Sequence, residues 1–235
     1  STARLVHHGI ADSFTETSDN LNDLRDAGNT DGNDIFKLRN DHKADVVSLW
    51  VSEANGSNCG MSPGLDANLI PRANLAFSVV VRRCALGNRS FVHEVGHILQ
   101  ANHDRYTEEA GNKPDSNYGY VKADKDWMTV MSYHRPDCPL KDIVDINGIT
   151  QQRHACTRRL YWSNPTVLDP VTGDFMGRPE GFSIPPNACT DNQQQPPINC
   201  DGPADNARVL NNTVATVAGF LTGGLVQSIA RSGIV

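Results

Sequence analysis

The chain has 235 residues, a net charge of −6 and 38% apolar residues. This length is enough for one large domain or two small ones, with a sizeable core. No basic cluster exceeds two residues, which argues against a nucleic-acid partner. The best apolar stretch, 214–226, is interrupted by threonine and glycine, so no stretch approaches the ~20 apolar residues of a membrane span.

The first half of the chain alternates between predicted strands and helices. Apolar runs at 3–10, 45–51 and 75–82 predict three strands. Between the first two, a Gly/Asn/Asp cluster at 28–33 divides a helical turn from a helix that is expected to end near His42.

Two aspartates of the polar loop, Asp31 and Asp34, are candidate Ca²⁺ ligands. Their spacing is not that of an EF-hand, so nothing in the pattern supports calcium binding. A solvated loop is the favoured interpretation.

The next predicted helix, at 90–101, carries a metal-binding pattern. His93 and His97 are four residues apart, which puts both side chains on one face of a helix. Glu94 follows the first histidine, so its carboxylate lies beside the open position of a metal held there. Ser90 is the candidate N-cap of this helix.

A third histidine, His103, comes six residues after His97. A continuous helix would rotate it away from the face that carries the other two. The helix is therefore expected to end near Gln100, with the chain turning back towards the metal.

Three neutral imidazoles and one water form the open tetrahedral set of a catalytic Zn²⁺ site, whereas structural sites are usually closed by four protein ligands. Zn²⁺ is therefore the predicted cofactor. It lowers the pKa of its bound water and polarises a scissile carbonyl. Glu94 is the predicted general base, which takes the proton from water and delivers it to the leaving amine.

The histidine pattern and Met131 downstream resemble the metzincin metallopeptidases, whose signature is HExxHxxGxxH followed by a Met-turn. Gln100 stands where that clan has a glycine in a left-handed turn. A residue other than glycine costs on the order of 1 kcal/mol in this conformation. Since that cost is small beside several metal–ligand bonds, His103 is retained as the third ligand.

More of the chain resembles one family, the bacterial reprolysin-like peptidyl-Asp metallopeptidases. The segments that carry this resemblance are 59–60, 76–80, 103–106, 161–165 and 205–213. Together they extend over most of residues 3–221. Family domains usually begin with an extra strand and helix that this chain lacks, which predicts a processed form or part of a larger precursor.

The resemblance implies an α/β (α+β) fold, a metzincin-type catalytic domain. The expected upper subdomain, 1–103, holds a twisted mixed sheet and the zinc-binding helix. The lower subdomain, 104–235, is smaller, irregular and pinned by disulfides, and holds the Met-turn and a closing helix predicted at 207–221. The strand at 75–82 is expected to form the upper edge of the cleft and to pair with extended substrate. Residues 161–165 are predicted to form a turn.

Two residues near the predicted ligands have candidate roles. Asp104 is expected to hydrogen-bond near the Met-turn or the helix end and so to steady the ligand loop, with a solvent-exposed carboxylate as the alternative. Tyr133 is a candidate fifth ligand or oxyanion contact, although packing below the site is the favoured interpretation.

The chain contains an even number of cysteines without a CxxC pair, which predicts disulfides and an oxidising, extracellular compartment. Sequence proximity favours the pairs Cys59–Cys84, Cys138–Cys156 and Cys189–Cys200.

Taken together, these features predict a secreted, monomeric zinc endopeptidase that acts on proteins or peptides. A thermolysin-like enzyme is the weaker alternative, because Glu108 and Glu109 are too near the histidines and Glu180 lies in a Gly/Pro-rich loop. The other alternative is a catalytically inactive binding or toxin-like module. Such a module would normally have lost Glu94 or a metal ligand.

The resembled family cuts on the amino side of aspartate, which implies a pocket for a carboxylate after the scissile bond. An arginine is the cation best suited to such a pocket. Four arginines follow the Met-turn and are candidates: Arg135, Arg153, Arg158 and Arg159. We expect at least one to recognise the acidic residue.

Overall fold

The computed structural model describes residues 18–25, 35–52, 58–63, 65, 68–108, 115–144, 148–183 and 202–221. The strand predicted at 3–10, the candidate calcium ligands Asp31 and Asp34, and the Cys189–Cys200 pair lie outside the described residues. Within the described ranges, no helix is long and apolar enough to cross a membrane.

The chain divides into two compact units. The first joins the residues up to Gln100 with those from Leu210 onward, and the second runs from Ala101 to Val209. The predicted division differs, since it places the boundary after residue 103 and the whole last helix in the second part. The later turns of that helix belong with the first unit, where Thr213 hydrogen-bonds to the Leu99 carbonyl.

The described part of the chain contains five α-helices. They are α1 (Ser18–Arg25), α2 (Ile35–Asp41), α3 (Arg82–Gly87), α4 (Ser90–Ile98) and α5 (Asn206–Val217). Short 3₁₀ turns span Ala73–Leu75 and Ala123–Lys125. The predicted helical segments before His42 are confirmed as α1 and α2, and the predicted closing helix is confirmed as α5.

Among the described residues, the sheet of the first unit has three strands: β1 (Val47–Val51), β2 (Gly60–Met61) and β3 (Phe77–Val81). Their order is β1-β3-β2, with β3 parallel to β1 and antiparallel to β2. All five residues of β3 are buried. A continuous buried run of this kind is typical of a strand covered on both faces.

The strand that precedes α4 is therefore not an edge strand. β3 pairs on both sides, so the prediction that it forms the edge of the cleft was wrong. The apolar run indicated a buried strand, but a sequence pattern does not reveal how many neighbours a strand has. Beside β3, the short strand β2 forms one edge of the sheet, opposite β1.

The predicted disulfide Cys59–Cys84 is formed and joins the residue before β2 to α3. The Cys59 carbonyl also accepts a hydrogen bond from the Val81 amide at 2.9 Å. These two links hold the start of the edge strand against the end of β3.

The second unit is built from short strands. They are β4 (Asn102–Asp104), β5 (Tyr118–Gly119), β6 (Val121–Lys122), β7 (Trp127–Met128), β8 (Leu140–Val144), β9 (Thr150–His154), β10 (Thr157–Arg158), β11 (Asn164–Leu168) and β12 (Phe175–Met176). β7 lies between β6 and β10, while β4-β5, β8-β9 and β11-β12 form pairs. The segment predicted as a turn at 161–165 instead ends in β11. Pro165 is tolerated there, because β11 pairs with a single strand, β12, among the described residues.

In the part of the second unit that the structure describes, two buried clusters contribute to the core. One contains Tyr120, Trp127, Met176 and Ala204, and the other contains Val121, Met128, Cys138 and Cys156. The predicted disulfide Cys138–Cys156 is formed within the second cluster. Because strands of two residues contribute few ladder hydrogen bonds, aromatic burial and this disulfide supply much of the local order.

Both ends of α4 depend on left-handed residues. Arg89 precedes the helix with φ 63° and no side-chain cap, whereas Ser90 is its first helical residue, so the prediction of Ser90 as the N-cap was wrong. Beyond the other end, Gln100 has φ 70°. The predicted stop near Gln100 is confirmed.

The Leu99 carbonyl at the end of α4 is one of the groups that a helix leaves without an internal partner. The Thr213 hydroxyl on α5 donates to it at 2.8 Å, and both residues are buried. A side chain of the closing helix thus satisfies the end of the helix that carries the histidines.

We expect Thr213→Val to lower the free energy of unfolding by about 1–3 kcal/mol, because the buried carbonyl loses its donor while the side-chain volume is kept. Denaturant unfolding would measure the free energy of unfolding of each variant. The proteins should be produced in a host without N-glycosylation. Thr216→Val, at an exposed position of the same helix, is the matched control and should change stability by no more than about 0.5 kcal/mol. Equal losses in both variants would contradict this account.

Candidate metal centre

The helix α4 brings two histidines together. His93 and His97 lie one turn apart, and their ring centroids are 4.8 Å from each other in an edge-to-face arrangement. His93 is buried and His97 is half-buried. This is the geometry that an i, i+4 pair on one helical face predicts.

The left-handed residue Gln100 follows the end of α4, and β4 begins two residues later, at Asn102. Its middle residue, His103, completes a group in which one nitrogen from each of the three histidines lies within 4.8 Å of the others. Imidazole nitrogens are favoured ligands of Zn²⁺ and related divalent ions. The donor set therefore fits a single metal ion, with the ligands that the sequence predicted.

A carboxylate holds the third histidine. The Nδ1 atom of His103 lies 2.5 Å from Oε1 of Glu108, and the imidazole packs edge-to-face against the Tyr133 ring. A carboxylate on the far nitrogen of a metal-ligating histidine fixes its tautomer and orientation. The sequence reasoning weighed Glu108 only as a metal ligand and missed this contact. Its signal was an acidic residue five positions beyond the third histidine.

Glu94 is enclosed by the edge strand β2. Its side chain is buried, and the Ser62 hydroxyl donates to Oε2 at 2.7 Å and to the Glu94 carbonyl oxygen at 3.0 Å. A Cβ atom on Gly60 would lie only 2.6 Å from Oε1 of Glu94. Glycine at position 60 thus leaves the room that this carboxylate occupies. The sequence analysis missed both residues, since the contact spans more than thirty positions.

Asp104 joins the ligand loop to the segment that follows Met131. Its Oδ2 atom accepts hydrogen bonds from the Tyr133 amide at 2.9 Å and from the Thr107 hydroxyl at 2.8 Å, and its Oδ1 atom accepts from the Tyr106 amide. The carboxylate is buried, not solvent-exposed. The structure thus contains the kind of hydrogen bond that was expected of Asp104.

Met131 is fully buried in a turn that the Ser132 amide closes by donating to the Thr129 carbonyl at 3.1 Å. The hydroxyls of Thr129 and Ser132 both donate to the Tyr120 carbonyl. Tyr133 follows the turn with its side chain 44% exposed. Its packing against His103 agrees with the packing role, while a role at the oxyanion stays a prediction.

Two of the four candidate arginines are held by carboxylates. Arg135 forms a two-bond fork with Asp137, at 3.0 and 2.6 Å. Nε of Arg159 lies 3.2 Å from Oδ1 of the buried Asp169. Both guanidinium groups are thus engaged within the protein.

The other two candidate arginines differ in exposure. Arg153 is exposed on the β8-β9 hairpin, where its guanidinium bonds to the Gln151 side chain. Nη2 of Arg158 donates to the Ser132 carbonyl at 2.7 Å, just after the Met131 turn. Its guanidinium carbon lies 6.0 Å from the centroid of the Tyr133 ring, which packs against His103.

The fold thus contains a cluster of three histidines that fits a metal ion, in a segment that also holds the buried Glu94. A family model for metallo-peptidase family M12 matches residues 3–143. The chain belongs to this family, and the resemblance that the sequence indicated is confirmed.

Three similar proteins are each called "Peptidyl-Asp metalloendopeptidase". Two are from Stenotrophomonas maltophilia strains R551-3 and K279a, at 31% and 32% identity, and one is from Xanthomonas campestris pv. campestris, at 32%. Each alignment covers 88% of this chain and 39–40% of the relative. The chain thus spans about 40% of the length of these curated relatives. A solved structure titled "Structure of a chaperone-substrate complex" covers 81% of the chain at 16% identity with a TM-score of 0.47, too low to support a conclusion.

We expect Glu108→Gln to weaken metal binding by about 10- to 100-fold, because the amide orients His103 less firmly than a carboxylate. Competition titration against a zinc-binding dye would measure the dissociation constant. Glu180→Gln is the control, since Glu180 pairs with Arg208 and not with a histidine. An unchanged dissociation constant in Glu108→Gln would show that the contact does not support the ligand.

Proposed function

We propose that this chain is the catalytic part of a secreted zinc endopeptidase that cuts peptide bonds on the amino side of aspartate. The observation that carries the proposal is the cluster of three histidine nitrogens within 4.8 Å of one another, formed by a segment that also contains Glu94. Membership of metallo-peptidase family M12 supports the same reaction class.

In this proposal, His93, His97 and His103 hold the ion. Zn²⁺ bound there supplies Lewis acidity, which lowers the pKa of water and polarises a carbonyl oxygen. Glu108 keeps the His103 imidazole oriented through Nδ1. Asp104 ties the backbone beside that ligand to the Tyr133 amide, so the loop is less free to move away.

Glu94 is the proposed proton carrier. Its carboxylate accepts a proton from the attacking water and passes it to the leaving amine nitrogen. The Ser62 hydroxyl donates to Oε2, which stabilises the ionised form and restricts the rotation of the side chain. Burial by β2 limits competing bulk water around the carboxylate.

Retention of this machinery favours an enzyme over an inactive binding module. A module selected only for binding has no need for a buried carboxylate held by a hydroxyl next to three histidines, because burying a charged group is costly. The thermolysin-like alternative assigns a glutamate as the third ligand. Here Glu108 contacts a histidine nitrogen instead, as a partner of the third ligand.

The proposed setting is extracellular, with the protein acting as a monomer on protein or peptide substrates. Two disulfides are formed among the described residues, and disulfides persist mainly in oxidising compartments. The preference for aspartate is proposed from the name that the three relatives share.

We expect Glu94→Gln to retain one zinc per chain and to reduce kcat by about 10²- to 10⁴-fold, since the amide keeps the shape of the side chain but cannot accept the proton. Metal analysis and cleavage of a fluorogenic Asp-containing peptide would measure the two quantities. Glu180→Gln serves as the matched control and should retain normal turnover. Near-normal turnover in Glu94→Gln would place the base elsewhere.

We expect removal of the metal by a chelator to abolish cleavage and stoichiometric Zn²⁺ to restore it. The melting temperature should fall on removal and recover on addition, because a ligand that binds only the folded state stabilises it. Activity assays with parallel calorimetry would follow both changes. Full activity in protein shown by metal analysis to be free of metal would overturn the proposal.

A further inference from the structure

Backbone pairing fixes Arg158 beside the Met131 turn. In the strand pair β7-β10, Arg158 lies opposite Met128, and the next amide, that of Arg159, donates to the Met128 carbonyl at 2.7 Å. The disulfide Cys138–Cys156 anchors the chain two residues before Arg158. The position of this arginine is therefore set by a disulfide and a strand pair, not by an unsupported loop.

The side chain of Arg158 extends towards His103 through contacts with Ser132 and Tyr133. Nη2 donates to the Ser132 carbonyl at 2.7 Å, and the guanidinium carbon lies 6.0 Å from the centroid of the Tyr133 ring. That ring packs edge-to-face on His103 at 4.8 Å. One aromatic ring thus separates the cation from a proposed metal ligand.

The charge of Arg158 is poorly solvated. Burial lowers the pKa of its guanidinium, and the nearby Tyr133 and Asp104 oppose this only in part. The Asp104 oxygens already accept hydrogen bonds from the Thr107 side chain and the Tyr133 amide. An arginine still carries its charge in this setting, so an incoming anion would gain from the interaction.

Three cations act on His134, in the segment that follows the Met131 turn. The pKa of His134 is lowered first by burial and then by three cations, Arg158, Lys141 and Arg153. These cations come from β8, β9 and β10, so the positive charge is a property of the folded unit and not of one sequence run. Of the three, Lys141 pairs with Asp126 and Arg153 bonds to the Gln151 side chain, whereas the guanidinium carbon of Arg158 lies 6.0 Å from the centroid of the Tyr133 ring.

Resting on the proposed function, we propose that Arg158 binds the carboxylate of the residue that follows the scissile bond. With a metal held by the three histidines, that residue would lie near the ion, because the carbonyl before it is the one that the metal would polarise. Aspartate has a short side chain, so its partner must lie close to the ligands. Arg135 and Arg159 are occupied by Asp137 and Asp169, and Arg153 is exposed on its hairpin.

The test compares wild type with Arg158→Gln and Arg158→Met on four peptides that differ only after the scissile bond, with Asp, Asn, Glu or Ala there. The glutamine keeps a donor for the Ser132 carbonyl, and both variants remove the charge. We expect the Asp-to-Asn ratio of kcat/KM to fall by about 10- to 100-fold, as the loss of a charge-assisted hydrogen bond predicts. Arg153→Met is the comparison variant and should keep the wild-type ratio.

The outcomes separate this inference from the proposed function. No cleavage of any peptide by zinc-loaded wild type would overturn the function itself, and this inference with it. Cleavage without preference for Asp over Asn would leave a peptidase but overturn the role of Arg158. An unchanged ratio in a folded, zinc-loaded Arg158 variant would overturn that role alone.

A measurement on wild type covers the case in which both variants fail to fold. A peptide with an N-terminal Asp, equivalent to the product after the cut, should protect Arg158 from an arginine-selective dicarbonyl reagent. The matched peptide with an N-terminal Asn should not. Mass spectrometry would locate the modification, and equal modification of Arg158 with both peptides would overturn the proposal.

Discussion

The backbone turn at Gln100 is the constraint on which the candidate metal centre depends. Without it, α4 would continue and rotate His103 away from the face that holds His93 and His97. The turn requires φ 70° from a residue with a side chain, a conformation that costs on the order of 1 kcal/mol compared with glycine. The cost is offset locally, because Thr213 satisfies the Leu99 carbonyl just before the turn. A metal bound to all three histidines would stabilise the same backbone geometry.

Hydrogen bonds to three carboxylates then fix the orientation of the side chains and backbone around the three histidines. Glu108 holds the His103 ring, Asp104 holds the Tyr133 amide, and Ser62 holds the Glu94 carboxylate. Each acid thus has a structural partner and a fixed direction. Such prior ordering matters for catalysis, because a group that is already positioned needs little reorganisation when charge develops.

The disulfide Cys138–Cys156 supports a small sheet of the second unit. It lies in the core that also holds Met128, and β10 follows it directly. The same short sheet therefore supports the turn of Met131 on one strand and Arg158 on another. In our proposals, the preference for an acidic residue and the support of the ligand loop both depend on this one small, covalently closed piece of structure.

Local spacing determined much of this protein from the sequence alone. The i, i+4 histidines, the stop near Gln100 and the proximate disulfides Cys59–Cys84 and Cys138–Cys156 all follow from short-range rules. The tertiary structure decided what depends on distant segments: that β3 is a central strand, that Ser62 reaches Glu94, and which arginine approaches His103. The physical reason is that periodicity and spacing indicate which face of a helix or strand is buried. The residues that pack against that face come from distant segments, whose positions are defined only in the folded chain.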